Sequence, residues 1–258
     1  MMSEMFQSAL LGRVARVHSS SARVGRAGLA SVDRDARPRA DLYRKYFRMA
    51  NVAFPADALR LDSVVERVTR QRWAVDACTS VGLGVAVAAG VSPTRMVVHC
   101  DSLTATEIRC AGAMNVGRLV ITSLDQARTV ASCSDARRPQ HVLLRMSGGE
   151  DDAAVAAIVA DPRLRLIGLD ASVDDTDGYD RVVDRLMDQS AWIRRRHGVL
   201  LDCLGLSTFE ALDSRPAPVR EIAAAVDGAI EDACARYRLP RPLLTFSPGW
   251  DLVDCVIG

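Results

Sequence analysis

Short runs rich in apolar and β-branched residues alternate along the chain with longer segments whose apolar positions recur at helical spacing. The runs Phe47–Phe54, Trp73–Asp76, Met96–His99, Arg118–Thr122, His141–Met146, Leu164–Asp170, Val199–Leu204 and Leu243–Phe246 are predicted as strands. Between them the spacing predicts helices over Leu59–Arg70, Ser80–Ala89, Ser102–Ala113, Ser123–Ser132, Asp151–Ala160, Gly178–His197 and Pro218–Tyr237. A further short helix over Arg39–Tyr46 precedes the first strand. Asp101-Ser102 and Thr122-Ser123 supply start signals, and Gln126 stands three residues after Ser123 as in a capping box. Gly90, Gly117 and Gly198 fall where a helix would hand over to a loop or strand.

Eight strands with intervening helices imply right-handed βαβ units and a parallel sheet, and eight is the number that closes a (β/α) barrel. An open doubly wound sheet would want a glycine-rich turn after its first strand. Pro55-Ala56-Asp57 stands there instead, so a single-domain α/β barrel is the expected fold. Residues 1–38, a short amphipathic piece over Met5–Val17 followed by an Arg/Ala/Gly/Asp-rich segment without strong apolar periodicity, are read as a weakly ordered extension, with the barrel over 39–258.

Composition narrows the function. With 258 residues, 49% hydrophobic content and a formal net charge of +1, nothing steers the chain toward nucleic acid. No apolar run is long enough to span a bilayer, and a cytoplasmic location is expected. Seven cysteines show no C-x-x-C pair, so free thiols and no metal site are expected from spacing. Lys45 is the only lysine, which leaves one candidate amine for Schiff-base chemistry.

Several segments, in collinear order, resemble the N-terminal, alanine-racemase-like barrel domain of fold-type III pyridoxal-phosphate decarboxylases. These are Asp76-Ala77-Cys78-Thr79-Ser80, Ala88 to Met96, Ile121 to Asp125, Leu144-Arg145-Met146, Asp175 to Tyr179 and Phe246 to Trp250. Diaminopimelate decarboxylase is the nearest likeness, with ornithine and arginine decarboxylases further away. The resemblance implies a lysine in an Ala-x-Lys-Ala strand, and Val52 replaces it here. It implies a ring-stacking histidine where Asp170-Ala171-Ser172-Val173 stands, and a Gly-Gly-Gly phosphate cradle of which Gly205 alone is kept. In the Glu-Pro-Gly-Arg turn, Ser247 and Trp250 take the places of the glutamate and arginine, and Gly249 is kept. The loop around Gly149–Asp151 is short, and the chain ends at Gly258, where the family would continue into a C-terminal β domain.

From these departures the expectation is a catalytically inactive homologue that acts as a binding or regulatory protein and holds no covalent cofactor. Non-covalent pyridoxal phosphate, through Arg145, Gly205 and Gly249, is the alternative. Expected partners are a second copy or an active decarboxylase, with Phe209 and Trp250 as contacts, or a small anionic ligand on Arg145; no nucleic acid and no membrane are expected. Polar residues at the carboxyl ends of barrel strands are the default place for chemistry. His99 with Asp101 would form a general acid–base pair, or be a hydrogen-bonded histidine. Asp170 with Asp202 would form a carboxylate pair or a cation site, or either would be the ion partner of a buried Arg145.

Overall fold

The computed structural model describes residues 41–146, 152–173, 178–208 and 216–248. The expected N-terminal extension, Phe209, Gly249 and Trp250 lie outside the described residues. In chain order the elements are β1 (Ala50–Pro55), α1 (Asp62–Gln71), β2 (Ala74–Ala77), α2 (Ser80–Ala88), β3 (Met96–His99), α3 (Ala105–Ala113), β4 (Arg118–Ile121) and α4 (Leu124–Ala131). They continue with β5 (Gln140–Arg145), α5 (Asp152–Ala160), β6 (Leu164–Val173), α6 (Tyr179–His197), β7 (Cys203–Thr208), α7 (Pro216–Tyr237) and β8 (Leu243–Ser247). Residues 41–46 are helical and lead into β1. All eight strands are parallel and close in sequential order, β8 returning to β1 through Ala50↔Leu244, Asn51↔Thr245 and Val52↔Phe246. The fold is a (β/α)₈ barrel. Among the described residues, no helix is long and apolar enough to cross a membrane.

Side chains alternate across each strand, so register sorts them into lumen and outer face. Val97, Val120, Leu143, Ile167 and Cys203, from five consecutive strands, form a separate buried cluster that fills the lumen. The neighbouring positions, Val98, Leu119, Val142 and Leu204 among them, join the larger core beneath the helices. Arg118 at the amino end of β4 donates to Thr245 Oγ1, which turns Thr245 inward and, by register, Asn51 with it. Val52 therefore faces outward beside Phe246, whose ring stacks on Phe47 at 4.2 Å. Phe54 shares that face and stacks on Trp73 at 4.4 Å.

Several boundaries differ from expectation, three of them for clear local reasons. β7 begins at Cys203 rather than Val199, because residues 199–202 form the approach, Cys203–Thr208 pair with β6 and Cys203–Ser207 with β8. β1 begins at Ala50, since the apolar Phe47 belongs to the aromatic stack below it. The third helix starts at Ala105, not Ser102, under a full capping box: Thr104 Oγ1 accepts from Glu107 N and Thr104 N donates to Glu107 Oε2 at 2.8 Å. Ser102 Oγ instead donates to Cys78 O at 2.6 Å and ties two loops at the carboxyl end together. Thr104→Ala is expected to cost about 1 kcal/mol of stability in chemical denaturation.

The predicted hand-over glycines divide into two kinds. Gly90 and Gly198 take φ of 72° and 70° after α2 and α6, a region that disfavours other residues. Gly117 is needed for space, because a Cβ there would lie 2.3 Å from Thr94 O.

Candidate functional site

The carboxyl ends of the strands converge on a compact polar ring. Asp76 from β2, His99 from β3, Asp170 from β6, Ser207 from β7 and Ser247 from β8 are all buried there. Arg145, the last residue of β5, links four of its neighbours through one guanidinium. Its Nε donates to Asp170 Oδ1 at 2.7 Å, and its Nη1 donates to Asp101. Its Nη2 donates to His99 Nδ1 at 2.6 Å and to Ser207 Oγ at 3.4 Å. A planar fork of five N–H groups suits this arrangement, which a lysine could not reproduce. Burial works against the charge on Arg145, but Asp170 outweighs it and raises the pKa further.

Gly205 faces this ring from β7. A Cβ at that position would lie 2.3 Å from Asp170 Oδ2, so the glycine makes room for the carboxylate that holds Arg145.

His99 makes its second contact with Asp76, whose Oδ1 lies 2.6 Å from Nε2. Burial opposes a charge on the imidazole, but Asp76, supported by Asp170, carries its pKa above the ordinary 6.5, with Arg145 pulling the other way. A raised pKa in the folded state contributes stability that is fully present below the unfolded value and disappears as pH rises through the folded value. Denaturant midpoints are therefore expected to fall as pH climbs from 6.5 through the folded pKa of His99. Asp76→Asn should flatten that slope. Cys78, exposed as a residue, has a thiol desolvated within this carboxylate-rich mouth, and burial with Asp76 raises its pKa strongly. Burial pushes the neighbouring Cys100 up to about 12.

The structure brings His99, Asp170, Arg145 and Gly205 together and separates the other candidates. Asp202 is exposed and precedes β7, at the end of the barrel opposite the ring; its backbone joins Ile167 O and Leu243 N. The expected Asp170–Asp202 pair therefore does not form. The expected His99–Asp101 pair is replaced by His99–Asp76, with Asp101 drawn to Arg145. Val52, read as standing in for the lysine, is turned away from the mouth into the outer core. Lys45 lies before β1, beside the ring of Tyr46. Asp76 was visible in the sequence as one of several strand-end polar residues; its pairing with His99 depends on strand register, which spacing does not encode.

The geometry defines a barrel whose carboxyl-end ring is built around an arginine, and comparison with known proteins places it. The sequence profile of the family described as "Pyridoxal-dependent decarboxylase, pyridoxal binding domain" matches residues 34–163. The chain belongs to this family. It is similar to a diaminopimelate decarboxylase of Actinosynnema pretiosum subsp. auranticum, 25% identical over an alignment of 242 residues that covers 83% of this chain and 55% of that protein. It is likewise similar to that of Mycobacterium tuberculosis (strain H37Rv), 27% identical over 245 residues, 78% of this chain and 53% of that one. The chain thus spans about half the length of the curated relatives it matches. Among solved structures, a diaminopimelate decarboxylase from M. jannaschii in co-complex with L-lysine superposes with a TM-score of 0.71 at 14% identity, covering 87% of this chain and 61% of that one. A lysine/ornithine decarboxylase from Vibrio vulnificus with cadaverine gives 0.69 at 15% identity, covering 85% and 60%. At these identities the structures establish the shared fold.

The residues at the mouth do not suit covalently held pyridoxal phosphate. The chain's single amine side chain lies before β1, at the end of that strand remote from the ring. Arg145 spends its donors on Asp170, Asp101, His99 and Ser207. The open side of Gly205 is filled by a carboxylate, and two aspartates pair with the one guanidinium while a third lies against His99, a charge balance opposed to a phosphate.

Proposed function

We propose that this chain is a catalytically silent relative of the pyridoxal-dependent decarboxylases that acts as a binding or regulatory protein. Its partner on this reading is a second copy or an active decarboxylase of the same family. The observation that carries the reading is the barrel mouth itself: the ring that would face a cofactor is closed on Arg145, and no amine reaches it. Schiff-base chemistry needs a primary amine held against the aldehyde, and no other side chain substitutes for it.

The test is to incubate the purified chain with pyridoxal phosphate, reduce with borohydride and map any adduct, while assaying diaminopimelate, lysine, ornithine and arginine for decarboxylation. The expected result is no stoichiometric adduct and no turnover. A reduced adduct on Lys45 together with carbon dioxide release would overturn the proposal. A spectral change without trapping would identify non-covalent cofactor binding.

The buried His99–Asp76 contact supports a second reading, an enzyme whose proton transfers need no imine. It predicts turnover without added pyridoxal phosphate that His99→Gln abolishes.

A further inference from the structure

We propose that Asp76, Cys78 and His99 form a site for one thiophilic divalent cation, with Zn²⁺ the best match, and that Arg145 competes with the ion for the imidazole. One carboxylate oxygen of Asp76, the Cys78 sulfur and a ring nitrogen of His99 all lie within 4.8 Å of one another. They come from β2, the turn after it, and β3, so chain spacing conceals them.

A second observation points to a ligand at this place. Asp76 and His99 are 7% and 3% exposed, yet among the described residues neither Asp76 Oδ1 nor His99 Nε2 has a hydrogen-bond partner. They sit 2.6 Å apart as an ion pair that supports charge on His99 but lacks the alignment of a good hydrogen bond. Two such atoms, both buried and both aimed at the same place, are costly unless something satisfies them. The charge agrees: Asp101 and Asp170 pair with the single Arg145 guanidinium while Asp76 meets only His99, so the mouth favours a cation.

The donor set selects the kind of ion. Nitrogen, oxygen and sulfur ligands suit zinc, whereas calcium and magnesium want six or more oxygens. Zinc bonds of about 2.0–2.3 Å in a tetrahedron set the donors roughly 3.4 Å apart. The Asp76–His99 contact would open from 2.6 Å, and the Cys78 sulfur would close in. Three protein ligands leave the fourth position to solvent at the exposed Cys78 side.

Proton bookkeeping brings in Arg145. A guanidinium only donates, so its contact with Nδ1 puts the neutral ring's proton on Nε2. Coordination through Nε2 moves that proton to Nδ1 and releases the Cys78 thiol proton to solvent. A protonated Nδ1 no longer accepts from Nη2, which must then rely on Ser207 Oγ, 3.4 Å away. Arg145 is a positioning residue here, and its effect on the ion is antagonistic.

The experiment strips the full chain with chelator, then adds Zn²⁺ or Co²⁺ in equilibrium dialysis, reading metal content and the thiolate-to-cobalt absorption band. The expected result is one equivalent per chain, with the band present. Cys78→Ser, a near-isosteric change whose folding is checked by circular dichroism, should lose the band and weaken binding about 10- to 100-fold. Arg145→Gln should tighten binding about tenfold. No stoichiometric uptake, or equal uptake by Cys78→Ser, would overturn the site; weaker binding in a folded Arg145→Gln would overturn the competition. Because the readout is metal content and a spectrum, it is independent of whether the chain turns over any substrate.

Discussion

Asp170→Ala is expected to destabilise the barrel by roughly 3–5 kcal/mol, the penalty of leaving a buried charge without its partner. The Arg145 side chain is 13% exposed, and its shortest described contact with a buried carboxylate is the 2.7 Å bond from Nε to Asp170 Oδ1. Asp101 remains after the substitution, and the mouth side admits some solvent, so the lower end of that range is the closer expectation. Asp170→Asn keeps the shape and one acceptor and should cost less. Urea unfolding of the three proteins decides the matter. A loss under about 1 kcal/mol for the alanine variant would mean that the ring does not organise the mouth.

Val52→Lys tests the other departure from the family. Aligned by motif, it restores the missing lysine. The register instead places that side chain on the outer face beside Phe246, in the aromatic core with Phe47 and Tyr43. An ammonium in that position has no described carboxylate on the same face of β1, β2 or β8 to meet it. The expected result is a loss of roughly 3 kcal/mol or more, with the lysine pKa driven down by burial, and no borohydride-trapped pyridoxal adduct. A stable variant that traps the cofactor at position 52 would show that the first strand presents the opposite face to the lumen.

These two variants also mark where sequence reasoning succeeds and where it stops. The βαβ alternation was legible because apolar runs and helical stripes have different periods, and Met96–His99 emerges with its observed bounds. The face of β1 was not legible. A strand covered by helices on one side and lumen on the other is apolar on both faces, so Ala50-Asn51-Val52-Ala53-Phe54, with Asn51 its single polar residue, offers no sustained alternation from which to tell inside from outside. The same ambiguity shifted β7 by several residues. Leu200 and Leu201 look more strand-like than Gly205 or Ser207, and the shift carried Asp202 to the wrong end of the barrel. Arg145 is read from sequence as the ion partner of Asp170 or Asp202, since all three fall near predicted strand ends, and only Asp170 pairs with it. The partner of His99 was missed because Asp101 is near in sequence, while Asp76 is near only after β2 and β3 are laid side by side.

The lumen cluster has one consequence for experiment. Cys203 is its sole sulfur, 6% exposed among Val97, Val120, Leu143 and Ile167, and burial pushes its thiol up to about 11. Alkylating reagents attack the thiolate, so in the closed state this atom is both shielded and chemically quiet. Its rate of labelling therefore counts the moments when the staves of the barrel part, a clock for opening events that needs no engineered residue.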